Sequence, residues 1–400
     1  MVRRTDPAVT PSRRGRLPAP PEWLRRGPFA PDAFPSRLRS ERLSAWLGLW
    51  LGLAFGICLV TGLISHGIQH GYYWPTRPVN LYRVTQGLHV ATGLAAVPLL
   101  LAKLWAVLPA LFTWPPARDL AHLLSRLALL VLVASATFEL ASGVLNVARW
   151  YAPFGFVFPP AHYWTAWIAT GALLIHIGAQ VTVVRRALRR APQPERSDEP
   201  GLSRRGLLIT VGLSAGVITV ATVGQTVAPL APISLLAPRR PSLGSQRLPV
   251  NRSARAAGVS ARAVDAGYRL TIAGPHRRDL SIAELTSRPQ HTAELPIACV
   301  EGWSANARWT GVRLRDLLAE ADVDPDSDVR VESLERRGAY RASVLPAAFA
   351  RDPLTLLALR LNGATLNVDH GYPCRLIAPN RPGVLQTKWV AALVPVRPEP

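Results

Sequence analysis

Cys299 ends a short apolar run, Leu295-Pro-Ile-Ala, and is followed by Val300, Glu301, Gly302, Trp303 and Ser304. An apolar strand entering such a turn exposes its last side chain at a strand's C-terminal end, where sites usually open. A thiolate there is a soft, strongly donating ligand, suited to a metal that shuttles oxygen and electrons. A cysteine that ligates nothing is a small buried hydrophobe, and this hexapeptide alone leaves that reading open. Glu301 stands where it can give or take a proton beside such a metal, or merely satisfy the turn's backbone.

Further along, the string Leu361-Asn-Gly-Ala-Thr-Leu-Asn-Val-Asp-His370-Gly371-Tyr-Pro373-Cys-Arg375-Leu is followed by Gln386-Thr387-Lys388-Trp389-Val390. With the Cys299 segment, these motifs resemble the sulfite oxidase superfamily of mono-molybdopterin enzymes over roughly residues 248–396. The resemblance implies Cys299 as the protein ligand to molybdenum, with His370, Arg375 and Lys388 holding the pterin's phosphate and ring. Asn251 and Arg252, in Leu-Pro-Val-Asn-Arg-Ser, sit where the family places further cofactor contacts. Those residue types suit the task, since a phosphate is bound by a planar Arg fork and by point-charge donors.

Within the superfamily, Cys-Val-Glu-x-Trp-Ser is closer to the periplasmic protein-methionine-sulfoxide reductase catalytic subunit. The sulfite oxidisers carry basic residues where this chain has Glu301, Gly302 and Trp303, whereas His370 is the oxidase-side form of its motif. The resemblance therefore implies oxygen-atom transfer, with reduction of small or protein-bound S-oxides ahead of the alternative, a dehydrogenase oxidising a small sulfur or organic substrate. A cofactor-free binding module on a membrane cytochrome is the alternative of another class. Retention of Cys299, His370, Arg375 and Lys388 in one chain argues against it.

The elements that must position these residues divide the chain in two. With 49% hydrophobic residues over 400, the chain is too apolar for an ordinary soluble protein. Apolar segments at 44–68, 82–108, 121–147, 162–184 and 206–229 each exceed the ~20 residues that cross a bilayer. The net charge of +21 is concentrated beside these spans, as in a membrane protein oriented by its basic loops, and no recognised nucleic-acid fold accompanies it. The expected order is a disordered basic cytoplasmic tail (1–42), a four-helix cytochrome b-like membrane domain (43–184) and a basic cytoplasmic loop (185–205). A fifth span (206–230), a linker (231–247) and an extracytoplasmic mixed α+β, β-rich domain (248–400) follow. Ser203-Arg204-Arg205-Gly206-Leu207-Leu208 resembles a twin-arginine export signal, which suits a domain that crosses the membrane folded around its cofactor.

His66, His70, His89, His162 and His176 all lie in or at the ends of the first four spans. Neutral imidazole is the usual axial ligand of haem, so one or two haem b groups are expected, exchanging electrons with the quinone pool. Both lying inside their spans, His89 and His176 are the leading pair. His162, fourteen residues and ~21 Å along the helix from His176, replaces it if depth decides, with His66 and His70 as further candidates. Glu139, costly within a span unless it has a task, is expected to take part in quinol proton release or to hydrogen-bond a neighbouring helix.

In the C-terminal part, strands are expected at 268–273, 329–333, 340–344, 375–378 and 388–394, and short helices at 281–287, 313–319 and 345–350.

Overall fold

The computed structural model describes residues 33–113, 118–190, 201–240 and 243–396, together with Glu22, Gly27 and Ala30. Most of the expected basic tail, and Arg196 of the 185–205 loop, lie outside the described residues.

Five helices are long and apolar enough to cross a membrane. They are α1 (Glu41–Gln69), α2 (Leu81–Leu111), α3 (Leu120–Ala148), α4 (Phe158–Arg189) and α5 (Arg204–Val223). Local chemistry sets their starts: the side chains of Ser40, Asp119 and Ser203 accept the N–H groups of Leu43, His122 and Gly206, satisfying donors that a helix start leaves unpaired. α1 packs on α2, α3 on α4, and α5 against α2. The outward faces stay apolar, with Leu101, Leu130 and Leu213 all more than 60% exposed, a surface that water does not tolerate at this extent and lipid does.

The C-terminal part is a two-sheet α+β unit. One sheet has the order β2 (Arg278–Leu280), β1 (Leu270–Ile272), β10 (Val390–Val396), β5 (Asp328–Ser333) and β6 (Ala342–Leu345). Its β1–β10 pair is parallel and the others antiparallel. The second sheet runs β3 (His291–Ala298), β4 (Ser304–Arg313), β7 (Leu356–Leu361) and β8 (Ala364–Thr365), with β9 (Arg375–Ile377) also on β7. Leu270, Ile272, Leu314, Leu317, Val329 and Leu357 are fully buried in one core, and Leu295, Trp309 and Leu361 in another. The helix expected at 313–319 forms at Leu314–Glu320, because Arg313 still belongs to β4, paired with Leu356. β7 was not expected: Leu-Leu-Ala-Leu-Arg-Leu lacks alternation because a central strand is covered on both faces.

The two parts are joined by more than the linker. Asn380, after β9, accepts the Tyr82 N–H at the start of α2 (2.7 Å), donates to Pro75 O (2.7 Å) and receives Trp74 Nε1–H at its own carbonyl (3.0 Å). Arg77 forks onto both oxygens of Asp352 at 2.7 and 3.0 Å.

Candidate active site

Ala298 pairs with Ser304 across the β3–β4 hairpin, so residues 299–303 form its loop. The loop is closed by Cys299 N–H to Trp303 O (2.9 Å) and Gly302 N–H to Cys299 O (3.0 Å). Gly302 has φ +88°, and a Cβ there would meet the Val90 methyls of α2 at 2.7 and 2.9 Å. Only glycine satisfies both demands. The turn's composition predicts an exposed thiol; the structure buries Cys299 to 5% exposure, because the helix bundle covers the loop.

Asn251 Nδ2 donates to Cys299 Sγ at 3.1 Å and to Glu301 Oε2 at 2.8 Å, and Trp303 Nε1 reaches the same oxygen at 3.3 Å. Glu301 Oε1 lies 3.0 Å from Nε of Arg149, the residue that ends α3, in an ion pair without hydrogen-bond alignment. Burial pushes the Cys299 thiol up to about 12, with the Glu301 charge adding to it. Burial also raises Glu301, against the pull of Arg149.

From Asn251 the next residue leads to a cluster of cations. Arg252 pairs with Glu335 at 3.0 Å, and Lys388 Nζ donates to Arg252 O and to Asp369 O. His370 Nε2 donates to Ser245 O at 2.6 Å, and burial pushes its pKa down to about 4, which leaves a fixed neutral ring. Arg375 donates to His370 O (3.0 Å) and Gln386 O (3.2 Å) and lies over the Trp309 ring. Burial lowers Arg375 to about 9; burial and then Arg375 lower Lys388 to about 7. Asn251, Arg252, Cys299, His370, Arg375 and Lys388 thus form one connected run.

Arg381, a further buried cation missed in the sequence, donates to Val344 O at 3.0 Å and lies over the Phe349 ring. Its signal there is the loop composition Asn380-Arg381-Pro382-Gly383, directly after a strand. Burial lowers Arg381 to about 10. Among the described residues, Arg375 Nε, Arg381 Nη1 and Ser304 Oγ are buried with no hydrogen-bond partner. A spare donor on the buried Arg375 cation, in a run that ends at a thiol, fits an anionic phosphate-bearing group whose metal end meets sulfur.

In the bundle, the His89 and His162 rings stand 6.3 Å apart, centroid to centroid, at 76°. His89 Nδ1 meets Cys58 O (3.0 Å) and Thr61 Oγ1 (3.2 Å); His162 Nδ1 meets Ser142 Oγ (2.8 Å) and Glu139 Oε2 (3.2 Å). The pair His89 with His176 is not brought together. His176 lies on the same helix as His162, ~21 Å further along it, whereas the His89 ring is beside His162. His66 stacks on His70 at 3.8 Å and on Tyr163 at 3.6 Å, so His66 and His70 have no room for an ion between their rings. Glu139 Oε2 on α3 thus lies beside the ring of His162 on the neighbouring α4.

Residues 257–399 match the family model described as the oxidoreductase molybdopterin binding domain. Mitochondrial sulfite oxidase of Drosophila melanogaster is 31% identical over 153 residues, covering 32% of this chain and 27% of that protein. This part of the chain belongs to the sulfite oxidase superfamily. The protein named "Putative protein-methionine-sulfoxide reductase subunit YedZ1", of Azospira oryzae, is 33% identical over 135 residues, covering 33% of this chain and 50% of that protein. The chain thus spans about a quarter to a half of the length of these relatives. The sulfane dehydrogenase SoxCD of Paracoccus pantotrophus is 26% identical over 33% of this chain and 40% of its own, at a TM-score of 0.30. In the superfamily domain the β3–β4 loop and the cations around Lys388 form the candidate molybdopterin cradle.

Proposed function

We propose that the chain is a membrane-bound molybdopterin-dependent oxidoreductase that draws electrons from quinol through haem b and reduces S-oxides at a centre on Cys299. The observation that carries this reading is the unbroken run from the Cys299 thiol through Asn251 and Arg252 to Lys388 and Arg375. When bound, the molybdenum cofactor supplies oxygen-atom transfer at an open metal position. Cys299 would ligate the metal. Lys388, Arg375 and Arg252 would hold the phosphate, His370 would offer the acceptor nitrogen Nδ1, and Asn251 would orient the Cys299 and Glu301 side chains. Glu301, anchored by Asn251 and Arg149, is the group nearest the thiol that can move a proton. Quinol oxidation releases two electrons and two protons; S-oxide reduction consumes both and yields the sulfide and water.

Haem is supported by the His89–His162 geometry. Metal–imidazole bonds of ~2 Å on either side of one ion, plus ~1 Å from each nitrogen to its ring centre, add to about 6 Å. Each Nδ1 is engaged, which leaves Nε2 to ligate. Sidedness is supported by the grouping of basic segments: Arg42 Nη1 donates to Arg190 O at 2.8 Å, so the start of α1 and the end of α4 share one end of the bundle. The outer domain docks at the other, as the positive-inside rule requires for a cytoplasmic N-terminus.

The test uses detergent-solubilised protein. Molybdenum and haem per chain are measured, and quinol-reduced haem is mixed with methionine sulfoxide. Reoxidation that is lost in Cys299→Ala supports the reductase. Haem that stays reduced with molybdenum present points to the oxidising direction, and absence of molybdenum overturns the enzyme reading.

A further inference from the structure

The loop that carries Cys299 is held by the bundle as well as by its own domain. Gln86 Nε2 donates to Val300 O at 2.7 Å, Val90 packs on Gly302, and Arg149 pairs with Glu301. Gln86 and Val90 lie one turn apart on α2, and His89 lies between them. At 31 residues, α2 is ~46 Å long against a hydrocarbon core of ~30 Å, so an end of this helix stands clear of lipid and can meet a polar domain.

We infer that Gln86 and Arg149 are positioning residues that fix the Cys299 loop against α2 beside His89, making this contact the place where electrons cross between the two centres. The inference rests on the cofactors proposed above. Its consequence is that no diffusible carrier docks at this face. Cys299, Glu301 and Trp303 are 5%, 7% and 4% exposed, and the bundle occupies the surface a carrier would need. Sequence alone puts these residues on opposite sides of a linker; in the fold, Asn380 on the start of α2, Asp352 on Arg77 just before it and Asn306 on Arg83 help seat the outer domain there.

Full-length protein in detergent is compared with Gln86→Leu, Arg149→Ala and Arg149→Lys. Two quantities are read: amide hydrogen exchange across residues 299–304, and the rate at which reduced haem is reoxidised by methionine sulfoxide. The haem spectrum and molybdenum content serve as controls for folding. In Gln86→Leu and Arg149→Ala, loop exchange rises roughly tenfold, the scale of one lost buried hydrogen bond for Gln86 and of one lost part-buried ion pair for Arg149, and haem reoxidation slows by at least as much. Arg149→Lys recovers part of both. Unchanged exchange in both variants overturns the positioning role. Faster exchange with reoxidation at the parent rate overturns the crossing. If the parent protein itself fails to reoxidise its haem, the reductase reading falls, while the exchange data still decide whether Gln86 and Arg149 hold the loop.

Discussion

Asn251 donates to the Cys299 sulfur at 3.1 Å, and the same amide nitrogen donates to Glu301 at 2.8 Å. A segment just past the linker therefore sets the electrostatics of a hairpin loop nearly fifty positions away. Burial already holds the thiol up at about 12, and the Asn251 donor opposes it. In molybdenum-free protein, Asn251→Leu is expected to slow alkylation of Cys299 by iodoacetamide at pH 8 several-fold, since the thiolate is the reacting form. Mass spectrometry of the modified peptide reads the rate; an unchanged rate would show that the amide does not stabilise the thiolate.

Lys388 makes the cofactor-free fold sensitive to pH on the alkaline side. Its pKa is 10.5 in an ordinary setting and about 7 here, so between these values the unfolded chain binds more protons than the folded one. Stability therefore rises with pH from about 7 to 10.5. Lys388→Met removes that slope and also weakens molybdopterin retention. Thermal unfolding at pH 7 and pH 9, with and without cofactor, checks both outcomes.

His370 acts on the acid side. With its pKa lowered from 6.5 to about 4, the folded state resists protonation, and stability is lost as pH falls through that window. His370→Asn keeps a side-chain donor toward Ser245 without a titrating ring. It is expected to flatten the acid limb of the stability profile between pH 6.5 and 4; a profile identical to the parent's would assign the acid sensitivity to other groups.

On the proposed haem ligation, His89→Ala and His162→Ala are each expected to abolish haem binding, whereas His176→Ala is expected to leave the His89–His162 site intact. Ser142→Ala keeps haem but shifts its reduction potential, because Ser142 sets the orientation of the His162 ring. Pyridine haemochrome absorbance and a redox titration measure these. Loss of all haem in His176→Ala with retention in His162→Ala would restore the depth-independent pairing.

Trp309 is fully buried, donates to Leu295 O at 3.2 Å and lies under the Arg375 guanidinium. Trp309→Ala is expected to cost ~3–5 kcal/mol in the outer domain, for the cavity and the lost contacts together. Denaturant unfolding monitored in that domain gives the number, and cofactor retention falls with it because Arg375 loses its platform.

Much of this protein was legible before any coordinates. Five apolar segments of the right length mark five helices, since the thickness of a bilayer sets a requirement that each segment meets alone. Cys299, His370, Arg375 and Lys388 stood out through the resemblance to the sulfite oxidase superfamily, and the fold gathers them in one connected run through Asn251 and Arg252. What the tertiary structure decided are relations across elements. His89 faces His162 and not His176 because helix rotation and height, which periodicity does not report, place Ser142, Glu139 and Thr61 behind those two rings. Arg149 meets Glu301, and Gly302 meets Val90, because two separately legible units are docked; the free energy of that docking belongs to surfaces remote in sequence, so no local pattern encodes it.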